Sequence, residues 1–230
     1  MRIPLTIKQD HLLLALSPGP WILDTGSPVS ISEQPVFLMG SNRPTRRSLG
    51  HANLASIRAQ TGVDAIGLLG NDHLGSIDTY LDLMGEYADF SNSGDMRDYD
   101  AVTLSPISSS SLHSVDVHVE GLGIRRMLLD TGAKYSYIDS MAGARTRQLG
   151  AAKDFQFAPN GMEQLDIELH HIHVRLGKLE GAIRCATHPD VTARLKGTDA
   201  VGILGWDILK YGRVLYSPRR GLLGTRATKD

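Results

Sequence analysis

The chain has 230 residues, of which 41% are hydrophobic and 21% charged, and its formal net charge at pH 7 is −1. This balance offers no electrostatic basis for binding nucleic acid, and no apolar run is long enough to cross a membrane, so we expect neither as a partner. The single cysteine, Cys185, rules out an internal disulfide, which favours a reducing compartment and a cytoplasmic location.

Strand signals dominate the start of the chain. Apolar and polar residues alternate over residues 3–8, and a second apolar run covers residues 12–16, both typical of β-strands. The turn formers Ser-Pro-Gly-Pro follow at residues 17–20. A third apolar run, Trp21-Ile22-Leu23, then leads directly into Asp24-Thr25-Gly26-Ser27. This part of the chain therefore predicts strand, strand, turn, strand, and then a loop that begins with an aspartate.

The next segment predicts smaller elements and then a linker. A short hairpin is expected over residues 39–44 and a helix over residues 52–60. A Gly-rich run follows at residues 64–74, with a short helix at residues 72–75. Serine and glycine cluster within residues 91–112, and this composition is typical of a linker.

The second half of the chain starts with the same plan as the first. Residues 115–119 alternate between apolar and polar, and residues 120–123 carry a turn signal. Residues 126–129 then lead into a second aspartate loop, Asp130-Thr131-Gly132-Ala133. Each half therefore predicts a strand, a turn and a strand that delivers Asp-Thr-Gly.

After this loop the sequence predicts one helix, a hairpin and further strands. Asp139 is expected to cap a helix that ends at Gly150. The turn signal Ala-Pro-Asn-Gly at residues 158–161 joins strands predicted on either side of it. Two more strands, a short helix and a closing strand are expected at residues 170–176, 182–185, 207–211 and 213–216.

Two motifs occur twice, in the same order. Asp-Thr-Gly follows an apolar run at residues 24–26 and again at residues 130–132. Residues 64–74 align with residues 199–209, with seven of eleven positions identical. An internal repeat sets the architecture of a chain. The sequence therefore predicts an all-β fold with a few short helices, built as two lobes related by a pseudo-twofold duplication.

These paired motifs resemble the signature of the aspartic protease superfamily of retropepsins and pepsins. In that family an apolar strand delivers Asp-Thr/Ser-Gly, and a later hydrophobic-hydrophobic-Gly run, here Leu68-Leu69-Gly70 and Ile203-Leu204-Gly205, lies behind it. The second half is closer in style to retroviral-type proteases, which indicates one chain with two retropepsin-like halves. The resemblance implies an aspartic endopeptidase that hydrolyses peptide or protein substrates as a monomer, without a metal or cofactor.

The resemblance also implies a role for each residue of the two loops. Asp24 and Asp130 share one proton and activate one water. The supporting residues are Thr25, Gly26 and Ser27 in the first loop and Thr131, Gly132 and Ala133 in the second. Threonines then hydrogen-bond across the lobe junction, and glycines let backbone N–H groups point at the carboxylates. Ser27 has a hydroxyl that could donate to Asp24, whereas Ala133 has none, so we hypothesise that Asp130 more often holds the shared proton.

The two halves differ in the distance between their landmarks. Asp24 and Asp64 are 40 positions apart, whereas Asp130 and Asp199 are 69 apart. Family members cover the substrate with a β-hairpin flap from this interval, so we expect a flap on the second lobe, with its tip at Asn160-Gly161, and a reduced flap on the first. The expected domains are an N-terminal lobe, a linker and a C-terminal lobe at residues 1–90, 91–112 and 113–230.

Alternatives remain for the function and for two groups of side chains. The short first lobe favours a second hypothesis, a non-catalytic peptide-binding or assembly module with a protease-like fold. Histidines at positions 170, 171 and 173 suggest a metal site, but no cysteine or second histidine pair stands at a zinc spacing, so we expect none. Four aspartates that repeat between the halves are expected to cap helices: Asp64, Asp72, Asp199 and Asp207.

Overall fold

The structure is a computed structural model that describes residues 1–107, 110–158 and 161–228. The first part of the chain forms short strands and two short helices. These elements are β1 (Arg2–Lys8), β2 (His11–Leu16), β3 (Gly19–Leu23), β4 (Ile31–Ser32), β5 (Val36–Leu38), β6 (Ser41–Arg43), β7 (Ser48–Leu49), β8 (Ala52–Asn53), α1 (Leu54–Thr61), β9 (Gly67–Leu69), α2 (Asn71–Leu74), β10 (Asp78–Asp82) and β11 (Tyr87–Ser91).

The second part contains longer strands. Its elements are β12 (Asp100–Thr103), β13 (Ser105–Pro106), β14 (His113–Val119), β15 (Gly123–Leu129), β16 (Ser136–Ile138), β17 (Thr146–Ala158), β18 (Gly161–Leu176), β19 (Leu179–Ala186), α3 (Pro189–Ala193), β20 (Gly202–Leu204), a 3₁₀ helix (Trp206–Tyr211), β21 (Gly212–Ser217), a second 3₁₀ helix (Pro218–Arg220) and β22 (Leu222–Ala227). The prediction of a mostly β protein with a few short helices is confirmed.

Strand β3 lies inside the sheet of the first half because its apolar run is buried on both faces, as expected for a strand with parallel neighbours. It pairs antiparallel with β2 and parallel with β9, where Leu23 lies opposite Leu69. Strand β4 pairs with the other edge of β9, with Ile31 opposite Leu68. These pairings fix the end of β3, and therefore the start of the loop at Asp24.

The second half repeats this arrangement in the same register. Strand β15 pairs parallel with β20, where Leu129 lies opposite Leu204. Strand β16 pairs antiparallel with β20, with Tyr137 opposite Ile203. Tyr137 is the seventh residue after Asp130, just as Ile31 is the seventh after Asp24 in the first half. The matching registers give the molecule its internal pseudo-twofold relation.

The C-terminal strands leave the second half and extend the sheet of the first. The strand order of this sheet is β12-β22-β21-β10-β11-β1-β2-β3-β9-β4.

Asp78 on β10 is fully buried, accepts a hydrogen bond from Ser217 at 2.6 Å, and forms ion pairs with Arg219 and Arg220 at 2.8 and 3.0 Å. Burial alone raises the pKa of Asp78, but its hydrogen bonds, chiefly from Arg219, lower it to about 2. The predicted lobe boundaries stay a prediction.

The helix predicted from Asp139 to Gly150 is wrong. Residues 139–145 form bends and turns, and β17 begins at Thr146. This strand pairs with β18 along its whole length, and such long-range pairing overrides local helix propensity. Gly150, with a φ of 129°, lies at an irregularity in this pairing and does not end a helix.

Other predicted elements lie close to their expected positions. Helix α1 begins with a capping box, in which Asn53 accepts from the backbone N–H of Ser56 at 2.9 Å. It ends at Gly62, whose φ of 68° favours glycine. The short hairpin is formed by β5 and β6, and a short helix follows each Gly-rich run. None of the helices in the described ranges has the length and apolar character that crossing a membrane requires.

Candidate active site

The two Asp-Thr-Gly loops begin at equivalent points of the two sheets. The backbone N–H of Asp24 donates to the carbonyl of Leu69 at 3.0 Å, and that of Asp130 donates to Leu204 at 2.9 Å. In each half the acceptor is the last residue of the parallel neighbour strand, so the Gly-rich run fixes the start of the loop. In each half, the Gly-rich run thus positions the Asp-Thr-Gly loop.

The threonines of the two loops hydrogen-bond to each other across the lobe junction. The N–H of Thr25 donates to Thr131 Oγ1, and the N–H of Thr131 donates to Thr25 Oγ1, both at 3.0 Å. Each hydroxyl also donates to a strand of the other half, Thr25 to Leu129 O and Thr131 to Leu23 O, at 2.9 Å. Both threonines are 2% exposed. These four buried bonds hold the two loops together.

The carboxyl group of each aspartate lies against the glycine of the opposite loop. A Cβ atom added to Gly26 would overlap the carboxyl group of Asp130, and one added to Gly132 would overlap that of Asp24. No larger residue fits at either position without displacing a carboxyl group. The structure therefore brings the carboxyl groups of Asp24 and Asp130 close together, each packed against the loop of the other.

Each carboxyl group accepts backbone N–H donors from its own loop, and the two differ in how far the pKa is raised. Asp24 accepts from the N–H of Gly26 at 2.9 Å, and the N–H of Ser27 also lowers its pKa, while Asp130 accepts from Gly132 at 2.9 Å and from Ala133 at 3.1 Å. Burial raises the pKa of both, and the charge of Asp130 raises the pKa of Asp24 further, to well above its ordinary value. N–H donors favour an ionised carboxylate. Because the pKa of Asp24 is raised further than that of Asp130, Asp24 is the better holder of a shared proton and Asp130 the better carboxylate.

The hypothesis that the hydroxyl of Ser27 donates to Asp24 is wrong. The Ser27 hydroxyl donates to the carbonyl of Val29 at 2.8 Å, within its own loop. The backbone N–H of Ser27 lowers the pKa of Asp24 as that of Ala133 lowers the pKa of Asp130, and neither effect depends on the side chain. The proton favours Asp24, the reverse of the hypothesised preference for Asp130.

Two serines that support the loops were missed by the sequence reasoning. The N–H of Gly70 donates to Ser30 Oγ at 2.9 Å, and the N–H of Gly205 donates to Ser136 Oγ at 3.0 Å. Both serines are the sixth residue after their aspartate. An alignment of the two Asp-Thr-Gly loops that continues to the sixth residue after each aspartate would have shown the shared serine.

Asn71 is a further support that the repeat did not reveal. Its side-chain N–H donates to Thr25 O at 2.6 Å, and its Oδ1 accepts from the hydroxyl of Tyr216 at 2.8 Å. The aligned residue of the second half is Trp206, which instead donates to Asp10 O at 2.7 Å. The different residue types at this position concealed its role.

The prediction that the repeated aspartates cap helices is wrong. Gly70 and Gly205 occupy the N-cap positions, without a side-chain hydrogen bond. Asp72 accepts from the N–H and hydroxyl of Ser30 at 2.9 and 2.6 Å. Asp207 accepts from the backbone and side chain of Arg184 at 2.9 and 3.1 Å. The remaining two form ion pairs, Asp64 with Arg58 and Asp199 with Arg126.

The long hairpin β17–β18 is the candidate flap of the second half. Of its predicted tip, Asn160 lies outside the described residues, and Gly161 begins β18. The role of the tip stays a prediction. Nearer the base, the hydroxyl of Tyr137 donates to Asp154 Oδ2. The corresponding interval of the first half contains only β4 to β8 and α1.

The histidines of β18 do not assemble with other ligand side chains into a recognisable metal site. Within residues 1–107, 110–158 and 161–228, no three His, Cys, Asp or Glu side chains are grouped so that they could hold a metal ion. Cys185 is buried in the core and is a free thiol.

Two solved structures resemble this chain along its whole length. An aspartic proteinase from Irpex lacteus matches with a TM-score of 0.53 at 12% identity, over 100% of this chain and 97% of that one. Basic 7S globulin from soybean matches with a TM-score of 0.51 at 11% identity, over 99% and 95% of the two chains. No family model and no curated protein matches the sequence. The fold is that of an aspartic proteinase, and the likeness, which also includes a globulin, shows the fold alone.

Proposed function

We propose that this protein is an aspartic endopeptidase in which Asp24 and Asp130 activate a water between them. One observation carries the proposal: the mutual hydrogen bonds of Thr25 and Thr131 bring the two loops together, so that each carboxyl group lies against the glycine of the opposite loop. The raised pKa of both carboxyls supports a shared proton. A purely structural role would need neither carboxyl group, because burying two of them together is costly.

The different pKa shifts of the two carboxyl groups give each one a role. Asp130, the carboxylate, removes a proton from the water, while Asp24 donates its proton to the carbonyl oxygen of the peptide bond. The product is a tetrahedral diol, formed without a covalent intermediate. Asp130 then gives its proton to the leaving amine, Asp24 takes a proton back from the diol, and the C–N bond breaks. Both carboxyls return to their starting states.

Several finer assignments belong to the same proposal. The halves are retropepsin-like, and because both lie in one chain, a monomer is sufficient for activity. The substrate is an extended peptide or protein segment that binds in the cleft by main-chain hydrogen bonds and is covered by the β17–β18 hairpin. The single buried Cys185 supports a cytoplasmic, reducing location. Nucleic acid, membranes, metals and cofactors take no part.

Cleavage of a diverse peptide library tests the proposal. We expect the wild-type chain to cleave peptides between about pH 4 and pH 7, the range in which one carboxyl of such a pair is protonated and the other ionised. Asp24→Asn and Asp130→Asn should each abolish cleavage, whereas Asp64→Asn, whose side chain is 98% exposed, should not. Cleavage that survives either substitution in the dyad would refute the assignment.

The alternative is a non-catalytic peptide-binding or assembly module. The first half favours it, because the short elements β4 to β8 and α1 provide no long hairpin to cover that side of the cleft. One of the two similar structures bears the name of a globulin. Peptide binding without cleavage at any pH, unchanged in Asp24→Asn, is the result that this alternative predicts.

A further inference from the structure

Asn71 holds the first Asp-Thr-Gly loop at two points. Its backbone N–H donates to the carbonyl of Ser27 at 2.9 Å, and its side-chain N–H donates to the carbonyl of Thr25 at 2.6 Å. Asn71 is 2% exposed, so water has little access to these bonds. Because a buried carbonyl that loses its donor costs free energy, the loop depends on Asn71 at both points.

The bond from Asn71 to Thr25 fixes the direction of the hydrogen bonds behind it. A carbonyl only accepts, so the side-chain nitrogen of Asn71 faces Thr25, and its Oδ1 faces the hydroxyl of Tyr216 at 2.8 Å. That oxygen also only accepts, so the single hydrogen of the hydroxyl goes to Asn71. Nδ1 of His113, 3.3 Å from the same hydroxyl, must then carry a hydrogen and donate it. The donors run in one direction, from His113 through Tyr216 to Asn71, and we name these three residues the relay.

The relay connects the second half of the molecule to the loop of the first. His113 begins β14 in the sheet of the second half, whereas Tyr216 on β21 lies in the sheet of the first. The two rings meet edge to face, with their centroids 6.2 Å apart. Tyr216 is buried, and burial raises the pKa of its hydroxyl, which therefore keeps its hydrogen as a donor.

Packing around the two loop threonines is incomplete. A cavity of about 10 Å³ is bordered by Thr25, Thr131 and Tyr216. Side chains next to a void lose van der Waals contacts on that side. The position of Thr25 therefore depends strongly on its hydrogen bonds, including the one that the relay supplies.

We propose that Tyr216 and His113 are positioning residues for the first Asp-Thr-Gly loop and act through Asn71. The inference rests on the proposed function, because the position of this loop affects a reaction only if Asp24 takes part in one. In the second half, the residue aligned with Asn71 is Trp206, whose side-chain N–H donates to Asp10 O at 2.7 Å. The second loop is thus held differently and serves as an internal control.

Removal of the Tyr216 hydroxyl tests the relay, with Tyr211→Phe as the matched control. Tyr216→Phe keeps the ring and removes the donor to Asn71. With a peptide that the wild-type chain cleaves, we expect kcat to fall about tenfold, less than the roughly 100-fold cost of a 1 Å displacement, and KM to change little. Tyr211→Phe removes a hydroxyl that donates to Ala182 O at 2.6 Å, and should leave kcat unchanged. A wild-type kcat in Tyr216→Phe would overturn the proposal.

Two further variants test the order of the relay. His113→Phe keeps an aromatic ring beside Tyr216 and should lower kcat by less than Tyr216→Phe does; an unchanged kcat overturns the part assigned to His113. If Tyr216 acts through Asn71, the double variant Asn71→Ala/Tyr216→Phe should have the kcat of Asn71→Ala alone. Losses that multiply in the double variant would show independent action and overturn the relay.

Amide hydrogen exchange tests the relay without any cleavage. The N–H groups of Gly26 and Gly132 make equivalent bonds, to Asp24 and Asp130, both at 2.9 Å. In Tyr216→Phe the amide of Gly26 should exchange roughly tenfold faster, as for the loss of one hydrogen bond, while that of Gly132 stays unchanged. Unchanged rates at both glycines, or equal increases from general destabilisation, would overturn the proposal.

The two readouts separate this inference from the proposed function. If the wild type cleaves peptides and Tyr216→Phe keeps its kcat, the relay fails and the endopeptidase stands. If the wild type cleaves nothing, the endopeptidase fails, and the exchange rates of Gly26 and Gly132 alone decide whether the relay holds the first loop.

Discussion

The two Asp-Thr-Gly loops are alike in geometry, while the segments that follow them are not. In each half a serine six residues after the aspartate accepts from the glycine of the Gly-rich run, at 2.9 Å for Ser30 and 3.0 Å for Ser136. One residue further, the first half has the buried Ile31 and the second has Tyr137, which contacts the long hairpin. The two halves are thus alike in the hydrogen bonds that position Asp24 and Asp130. The asymmetry lies in the segments that follow the loops, which would contact the substrate in the proposed function.

Substitution of the loop glycines is expected to break the symmetric part most severely. Gly26→Ala would place a methyl group on the carboxyl group of Asp130, and Gly132→Ala would do the same to Asp24. Displacement of a reacting group by 1 Å can lower a rate about 100-fold, so we expect at least that loss of kcat/KM in both variants. A far-ultraviolet circular dichroism spectrum checks that each variant is folded. Activity near the wild-type level in either would contradict the close approach of the carboxyls.

Loss of either threonine hydroxyl should cost stability equally in the two halves. Thr25→Val leaves the N–H of Thr131 and the carbonyl of Leu129 without partners, and Thr131→Val leaves the equivalent groups of Thr25 and Leu23. We expect each to lower the free energy of unfolding by about 3 kcal/mol, measured by urea denaturation. The matched Thr→Ser variants keep the hydroxyl and should lose less. Unequal costs for the two valine variants would show that the lobe junction is not symmetric.

Asparagine at the dyad is expected to raise stability at neutral pH. Because the folded-state pKa of Asp24 is raised above 3.8, its favourable contribution is full below pH 3.8 and is lost as pH rises through the folded-state pKa. Asp24→Asn should therefore raise Tm at pH 7, by roughly 2–4 °C for each kcal/mol recovered, and the difference should vanish near pH 3.

Asp130→Asn sharpens this comparison between the halves. The pKa of Asp130 is raised less than that of Asp24, so an uncharged amide at position 130 removes a smaller penalty and the gain in Tm at pH 7 should be smaller. Asp64→Asn, at an exposed site, should leave Tm unchanged. A Tm at pH 7 that falls in Asp24→Asn would argue against the raised pKa.

The smallest effect is expected for Ser27→Ala, the residue that distinguishes the two loops in sequence. The hydroxyl of Ser27 bonds to Val29 O, so its loss should cost about 1 kcal/mol of stability. The acidic limb of the pH–rate profile should not move, because the hydroxyl makes no hydrogen bond to Asp24. A shift of that limb to higher pH would restore the hypothesis that Ser27 stabilises the carboxylate.

The repeats in the sequence were sufficient to predict the fold and which loops meet. Two copies of Asp-Thr-Gly, each with its own Gly-rich run, indicate two equivalent strand pairs, and the registers of β3 with β9 and of β15 with β20 match this expectation. The apolar run Trp21-Ile22-Leu23 predicts a strand, and these residues form the buried end of β3. Such features depend on local residue patterns and on their order.

The errors arose where distant residues decide the outcome. The segment from Asp139 to Gly150 has helical signals, but pairing of β17 with β18 makes its later part a strand. Asp207 stands where a cap is expected, but Arg184, 23 positions away, binds it. The contact of Tyr137 with Asp154 joins two strands whose packing no local pattern records.

Inhibitor stoichiometry tests most directly the claim that one chain assembles one dyad from its two loops. Isothermal titration with a statine-type inhibitor, an analogue of the tetrahedral diol, should give one molecule bound per chain at protein concentrations where the chain is monomeric. Binding should be lost in Asp24→Asn and in Asp130→Asn alike. One molecule per two chains, no binding to the wild type, or binding that survives either substitution would contradict the account.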